Sequence, residues 1–316
     1  MRGSQGNVVG SDAAAKLSLP AAIKNFQRLA GLAAEPQHVR NTVSVLHAFL
    51  WQQGITEPWQ VTTEAVEDYL GRLHESGRAP KTLINHCSSL SSFCDFLIRR
   101  KLLTENPCLA VQLRRPEETL PRYLDDAEIT QTLQLAREHG IWPEVCLALS
   151  TGLRASEMIR LCWPDINFER RCLTVRKSKT HRPRVIPLSR PALVALRLQR
   201  RITARFAHIF PARRTWTGCC RYVNRPRAIN WWMRALRPIQ EAVPKFGLLP
   251  PGSTGRGWHL LRHTFASRLA QAGVSLYKIA QWLGHSDIRT TRIYAHLQVG
   301  FDPEIEAAGP QKARHV

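Results

Sequence analysis

Residues 258–296 restrict the fold of this chain more than any other stretch. Apolar side chains spaced three and four residues apart share one face of a helix. In the first predicted helix these are Leu261, Phe265, Leu269 and Ala272. Gly273 then provides a left-handed stop, Ser275 can cap a second helix, and Gly284 can end it. The pattern therefore predicts a helix, a short helix and a turn in close succession.

Polar residues of this stretch fall at helix ends and edges, where a side chain can reach a ligand. They are His259, Arg262, His285 and Tyr294. Arginine binds a phosphodiester as a planar fork, and histidine moves a proton near neutral pH. Tyrosine can act as a covalent nucleophile. The set predicts phosphoryl transfer from a nucleic acid to a protein hydroxyl, without a metal.

The net charge of +21 is unevenly distributed along the chain. Residues 1–119 carry a net charge of +2 and residues 120–316 a net charge of +19. Between Glu169 and Glu241 there are 19 basic residues and no acidic one. An ordinary solvated face mixes both signs, so this asymmetry predicts a polyanionic partner, with nucleic acid as the default.

Other functional classes are disfavoured by the composition. No run of 18 apolar residues is present, so a membrane span is not expected. The first residues lack the apolar core of a signal peptide, which predicts a cytoplasmic protein. The eight cysteines include no C-x-x-C pair, so we do not expect a zinc site. No cofactor is expected either, which is what the family resemblance described below implies.

The chain is long enough for two domains of ordinary size. Residues 1–17 are predicted as a flexible tail and residues 18–105 as a bundle of four helices. Residues 106–121 contain three prolines and no periodicity, which indicates a linker. Residues 122–316 form the second domain. The predicted fold class is mainly α, with a small antiparallel β-sheet.

That sheet is predicted from a hairpin in the second domain. Two runs rich in β-formers, 172–176 and 184–188, flank a polar turn with the sequence S-K-T. A further helix is expected from Pro191 to Arg205. Residues 208–237 give no clear secondary structure, but interleave arginine with tryptophan and tyrosine, which suits a DNA surface.

Three motifs resemble the tyrosine recombinases, the family of phage integrases, Cre-like recombinases and Xer proteins. They are H-x-x-R-H-T-F-A starting at His259, L-G-H-S ending at Ser286, and a tyrosine nine residues after His285. The resemblance is strong over residues 120–296 and architectural before them. It implies an N-terminal core-binding, SAM-like domain and a mixed α+β catalytic domain.

The resemblance also implies catalytic roles. Tyr294 attacks the scissile phosphate and forms a 3′-phosphotyrosyl link. Arg154, in G-L-R-A-S-E, and Arg262 bind the non-bridging oxygens. His259 assists proton transfer at the tyrosine, and His285 hydrogen-bonds the phosphate. The hairpin supplies the general acid, for which Lys179 is chosen and Lys177 is the rival.

Several neighbouring residues are expected to play supporting parts. Glu157 either orients Arg154 or holds a helix in place. His263 points about 100° away from Arg262 on a helix, so it is predicted to be a hydrogen-bonded structural residue. Tyr277 is expected at the surface or in packing, and His296 in a local contact.

Phosphate contacts are predicted for basic residues outside the catalytic set, although some can equally be ordinary surface charges. They are Arg78, Lys81, Arg99, Arg100, Lys177, Arg213, Arg214 and Arg221. The implied partner is double-stranded DNA, held by a homotetramer on two recombination sites, with accessory DNA-bending or partner recombinase proteins. The activity implied is site-specific recombination for a mobile element. A type IB topoisomerase-like enzyme and a catalytically silent DNA-binding accessory protein are the alternatives.

Overall fold

The computed structural model describes residues 18–114, 120–176, 183–216, 219–247 and 256–298. The chain divides into two units, Met1–Glu118 and Thr119–Val316. The described residues are mainly helical, with two small antiparallel sheets. The predicted fold class is therefore confirmed. Within these residues, no helix is both long and apolar enough to cross a bilayer.

Four α-helices make up most of the described part of the first unit. They are α1 (Leu19–Ala33), α2 (Pro36–Gln53), α3 (Thr63–Glu75) and α4 (Pro80–Arg99). Proline lies in the first turn of α1, α2 and α4, where its missing N–H costs nothing. Aromatic side chains fill the bundle, with Phe26 packed edge-on against Phe93 and Phe96.

The first residues of the predicted linker pack onto this bundle. The Asn106 side chain is buried and donates to the Ser91 hydroxyl at 2.9 Å and to Asp95 at 2.7 Å, both on α4. A 3₁₀ turn, Pro107–Leu109, then buries Cys108 in the core of the bundle. The absence of a periodic pattern in these residues was the reason to predict a linker. At Pro107–Leu109 it has another cause, because a turn of three residues is too short to show a helical repeat.

The second unit contains the remaining helices and all the described strands. The helices are α5 (Asp126–Glu138), α6 (Trp142–Thr151), α7 (Ala155–Arg160), α8 (Arg190–Thr203), α9 (Ile229–Ala235), α10 (Arg237–Ala242), α11 (Pro244–Gly247), α12 (Arg256–Gln271) and α13 (Leu276–Leu283). The strands are β1 (Ile166–Asn167), β2 (Cys172–Val175), β3 (Arg184–Pro187), β4 (Pro211–Trp216) and β5 (Cys219–Pro226).

The predicted hairpin is present as β2 and β3, which pair in antiparallel register with Leu173 opposite Ile186. Strand β1 adds a short third strand on the other side of β2. Leu173 and Ile186 are fully buried against the helical core, while Val185 faces solvent. Alternate burial along β3 therefore holds the sheet against the helices.

A second hairpin, β4–β5, lies in the part of the sequence that gave no clear prediction. Its strands carry several arginines, so the alternation of apolar and polar residues that reveals a strand is weak. The helix that follows places Trp232 in the core and leaves Trp231 partly exposed. The two adjacent tryptophans therefore occupy different environments, because neighbouring residues on a helix point about 100° apart.

Candidate active site

Helix α12 carries His259, Arg262 and His263, and Trp258 holds its first turn in place. The Trp258 indole is buried against Trp232, with ring centroids 4.7 Å apart. Its Nε1 donates to the Trp232 carbonyl at 2.7 Å. Because the start of the helix is held, the directions of His259 and Arg262 are set by helical geometry alone.

Arg262 joins the ends of two other helices. Its side chain is buried and donates to the carbonyls of Gly152 and Leu283, each at 2.7 Å. Gly152 directly follows α6, and Leu283 is the last residue of α13. The residues that directly follow these two helices, Gly152 and Gly284, both have a left-handed backbone conformation. Burial, followed by repulsion from Arg154, lowers the pKa of Arg262 to about 9, so the guanidinium remains charged at neutral pH.

His285 follows α13 and has a defined tautomer. Arg262 Nη2 lies 3.0 Å from its Nε2, and because arginine only donates, Nε2 must be the accepting nitrogen. The ring proton is then on Nδ1, which donates to the Thr291 hydroxyl at 2.7 Å. Burial, and then the charge of Arg262, lower the pKa of His285 to about 4. The imidazole is therefore neutral at pH 7.

Glu157 holds two arginines with one buried carboxylate. It accepts from the Arg154 backbone N–H at 2.9 Å and from Arg154 Nη1 at 3.1 Å. Arg184, on β3, donates to both of its oxygens at 3.0 and 2.7 Å and also to the Trp282 carbonyl at 2.7 Å. Burial works to raise the pKa of Glu157, but the hydrogen bonds and charge of Arg184 lower it on balance. The contact fits the predicted supporting part of Glu157 and adds Arg184 to the cluster.

Tyr294 lies in a 3₁₀ helix, Arg292–Leu297, and its side chain is only 1% exposed. Its ring belongs to a small apolar cluster that also contains Ala266, Ala270 and Leu283. Its hydroxyl lies 2.7 Å from His263 Nδ1. Burial raises the pKa of Tyr294 to about 12, an effect that the nearby charge of Arg262 opposes.

His259 is the exposed member of the cluster. Desolvation by the surrounding protein, and then the charges of Arg262 and Arg154, lower the pKa of its imidazole. Within the described residues, His259 makes no hydrogen bond to Tyr294. The α12 histidine that touches the tyrosine is therefore His263, which the sequence had assigned to a structural contact.

The other predicted residues are distributed as follows. Lys177 and Lys179 lie outside the described residues, between β2 and β3. Arg213, Arg214 and Arg221 are in the β4–β5 hairpin, where Arg214 pairs with Arg221 across the strands. In the first unit Arg78 and Lys81 lie at one end of α4, while Arg99 and Arg100 lie at the other, about 28 Å away at 1.5 Å per residue. All four of these side chains are exposed.

Two residues of the cluster, Arg184 and Thr291, were missed from the sequence, and the contact of His263 with Tyr294 was not predicted. His263 follows His259 by four residues, and this spacing places both on the same helical face. The sequence-based prediction instead considered only the direction of His263 relative to Arg262. Arg184 could have been identified as a lone arginine in an otherwise apolar strand, because a buried arginine requires a partner. No local pattern marked Thr291.

These side chains together form a cationic site around a tyrosine hydroxyl. Arg154, Arg262 and Arg184 bring positive charge to it, and Glu157 is the carboxylate that Arg154 and Arg184 share. In the described part of the chain, no three His, Cys, Asp or Glu side chains are grouped closely enough to hold a metal ion.

Two family models match this chain. The phage integrase family model matches residues 122–217 and 242–300. The model of the phage integrase N-terminal SAM-like domain matches residues 38–101. The first match contains Arg154, Arg262, His285 and Tyr294, and the second lies within the helical bundle.

Curated proteins and solved structures agree with these models. The chain is 28% identical to tyrosine recombinase XerC of Xanthomonas campestris pv. campestris (strain B100), over 87% of this chain and 82% of that protein. It is also 28% identical to tyrosine recombinase XerD of Staphylococcus saprophyticus subsp. saprophyticus, over 82% of this chain and 86% of that protein.

The fold is similar to that of two solved integrases. The Tn1549 transposon integrase in complex with circular intermediate DNA matches with a TM-score of 0.67 and 21% identity, over 92% of this chain and 99% of that chain. A lambda integrase tetramer bound to a Holliday junction matches with a TM-score of 0.68 and 21% identity, over 92% and 81%. The chain belongs to the phage integrase family of tyrosine recombinases.

Proposed function

We propose that this protein is a site-specific DNA recombinase that cleaves and rejoins strands through a 3′-phosphotyrosyl intermediate on Tyr294. The observation that carries the proposal is the cluster in which Arg262 contacts His285, lies close enough to Arg154 to feel its charge, and itself acts electrostatically on Tyr294. The net charge of +19 over residues 120–316 supports DNA as the substrate. The names of the curated relatives support recombination as the outcome.

The chemistry is a transesterification in which atoms and charge balance. Tyr294 Oη bonds to phosphorus, and its proton passes to a histidine of α12. The bond from phosphorus to the 5′ oxygen breaks, and that oxygen takes a proton from Lys179. The 5′ hydroxyl of a second strand then reverses the sequence and frees the tyrosine. The phosphotyrosyl bond stores the energy of the broken phosphodiester, so the cycle needs no nucleotide hydrolysis.

The arginines supply electrostatic stabilisation to this reaction. A phosphorane-like transition state carries more negative charge on its non-bridging oxygens than the starting diester. Arg262 is held by the Gly152 and Leu283 carbonyls, and Arg154 by Glu157. Their guanidinium groups are therefore positioned before substrate arrives, and little reorganisation is needed during the reaction.

For the assembly we propose a homotetramer on two DNA sites. The lambda integrase tetramer bound to a Holliday junction, which shares this fold, supports that arrangement. Accessory DNA-bending proteins or a partner recombinase are further candidate members. We propose that the biological role is integration, excision or resolution of a mobile element.

Covalent trapping tests the function. Purified protein is incubated with nicked duplexes from a random-sequence library, whose short cleaved strand diffuses away and leaves the protein attached. Adducts that survive detergent are sequenced to give the site. We expect one site class, with the phosphate on Tyr294 and a free 5′ hydroxyl on the other product.

Two tyrosine variants provide the contrast. Tyr294→Phe should abolish the adduct, while Tyr277→Phe should retain it, because Tyr277 is 75% exposed on α13. Relaxation of supercoiled plasmids without strand exchange between two sites would indicate a topoisomerase-like enzyme instead. Salt-sensitive DNA binding with no adduct from any library member would indicate a silent accessory protein and contradict the proposal.

A further inference from the structure

We infer that His263 is the catalytic residue that receives the Tyr294 proton during strand cleavage and returns it during rejoining. The inference rests on the proposed function and goes further, because it moves this step from His259 to a residue that the sequence assigned only a structural role. Its basis is the contact between His263 Nδ1 and the Tyr294 hydroxyl at 2.7 Å.

The geometry separates the two α12 histidines. His263 is half-buried beneath the tyrosine, with ring centroids 6.0 Å apart and planes inclined at 48°. His259 lies one turn earlier on the same face, is exposed, and makes no hydrogen bond to Tyr294 in the described structure. A general base must be within hydrogen-bond reach of the proton that it removes. His263 meets that condition before DNA binds.

The protonation states suit the transfer. Burial, followed by the charges of His259 and Arg262, lowers the pKa of His263 to about 4. Burial raises the pKa of Tyr294 to about 12, so at neutral pH a protonated tyrosine faces a neutral imidazole. In the tautomer that carries its proton on Nε2, Nδ1 is an empty acceptor facing the hydroxyl, and this is the tautomer that the transfer uses.

Charge moves during the attack in a direction that drives this proton onto His263. As the Oη–phosphorus bond forms, electron density leaves the tyrosine oxygen and the hydroxyl becomes strongly acidic. Nδ1 takes the proton, phosphorus releases the 5′ oxygen, and Lys179 protonates that oxygen. The ionisable groups that face His263 are His259 and Arg262 on its own helix, Tyr294, and His285 across the site. The imidazolium formed among them is short-lived and returns its proton when the tyrosine leaves.

A purely positional role for His263 is the competing explanation, and His263→Asn distinguishes the two. The asparagine amide places an oxygen close to the position of Nδ1 and can accept the Tyr294 hydrogen bond, but it cannot take up a proton. We expect the single-turnover rate of adduct formation on the trapped site to fall about 10²-fold or more at neutral pH. His139→Asn, at the exposed end of α5, is the matched control and should react at the wild-type rate.

Two substrate and residue changes locate the defect on the nucleophile side. DNA with sulfur in place of the bridging 5′ oxygen needs no proton on its leaving group, so it should restore a Lys179→Ala variant but leave His263→Asn slow. A fluorinated tyrosine at position 294, whose hydroxyl is a stronger acid, should restore much of the rate of His263→Asn.

The outcomes separate this inference from the proposed function. If wild-type protein forms the adduct and His263→Asn forms it at a similar rate, His263 is not the proton acceptor and the function stands. If the sulfur substrate restores His263→Asn, the residue acts on the leaving group and the inference is overturned. If wild-type protein forms no adduct with any duplex, both proposals fail.

Discussion

Glu157 is the residue on which the cationic site depends most. Its single carboxylate accepts hydrogen bonds from Arg154 and Arg184, and its side chain is only 3% exposed. A buried ion pair contributes little net stability compared with an apolar pair, but removing one partner leaves the other charge buried and unpaired. Glu157 therefore maintains both the fold around the site and the position of a guanidinium within it.

Glu157→Gln should lower the free energy of unfolding by about 3–5 kcal/mol at neutral pH, because Arg184 loses its counter-ion. The folded-state pKa of Glu157 is depressed, so its contribution is complete above the ordinary glutamate range and is lost as the pH falls through the folded value. Urea unfolding across a pH series should show the two proteins converging below about pH 4. A constant difference down to acid pH would contradict this account.

Thr291→Val removes the acceptor for the His285 Nδ1 proton. We expect a loss of about 1–3 kcal/mol in the free energy of unfolding, since a buried donor is left without a partner. Adduct formation should slow as well, because the imidazole is free to rotate. Thr290→Val is the matched control, since it removes only an exposed hydrogen bond to the Asp287 carbonyl and should cost clearly less than Thr291→Val.

Among single residues, the sequence predicted the site residues that lie in short motifs. Arg154, His259, Arg262, His285 and Tyr294 all lie in such motifs, and the structure places four of them in one hydrogen-bonded or electrostatically linked cluster with Tyr294. The contact of His263 with Tyr294 spans 31 residues, and that of Arg184 with Glu157 spans 27. Partners so far apart in sequence become neighbours only through the fold.

Among the secondary-structure elements, the close approach of α6 and α12 is the most demanding contact. Gly152 ends α6 with φ at 61°, and a β-carbon there would lie 2.5 Å from the Phe265 ring and 2.8 Å from Leu283. Two constraints therefore coincide, a left-handed backbone and the absence of space. The Gly152 carbonyl also accepts from Arg262, so displacing this turn would displace the Arg262 guanidinium.

Gly140→Ala and Gly152→Ala separate these two constraints. Gly140 has nearly the same φ, 64°, but nothing within 4 Å of the added carbon. We expect Gly140→Ala to cost about 1–2 kcal/mol from backbone strain alone. Gly152→Ala should cost at least about 2 kcal/mol more, from overpacking against α12. Equal urea midpoints for the two variants would mean that α12 adjusts freely.

The elements themselves were partly predictable. Helix stops at Gly273 and Gly284, the Ser275 cap and the β2–β3 hairpin all appear where the sequence indicates. Each depends on local chemistry, which a short window of sequence contains. The β4–β5 hairpin was missed because its strands are arginine-rich. Ala272 was placed on the buried face of α12 but is exposed, since the helix ends at Gln271.

For the whole molecule, the dominant property is the separation of charge between residues 1–119 and residues 120–316. Specificity for a DNA site requires base contacts, but affinity follows the number of neutralised phosphates. The nearly neutral first part contributes little to the long-range attraction. The strongly basic second part dominates it, so encounter with DNA should be rapid and sensitive to salt.

DNA affinity should accordingly fall by about 10³-fold or more between about 50 and 200 mM salt. Replacing Arg214 or Arg221 with glutamine should reduce the slope of log affinity against log salt by about one for each phosphate that the variant no longer neutralises. Titration of a labelled duplex at four salt concentrations measures both. An unchanged slope in both variants would remove the β4–β5 hairpin from the DNA-binding surface.

The shared carboxylate of Glu157 also restricts how this protein can change over evolutionary time. A chain that loses Glu157 first retains the buried charge of Arg184, and one that loses Arg184 first leaves Glu157 with Arg154 as its remaining partner. Either single step removes one partner of a buried ion pair and costs stability, while a simultaneous change of both positions to apolar residues avoids the penalty for that pair. Any lineage that abandons this ion pair should therefore replace both positions together, so the two sites are inherited as one unit.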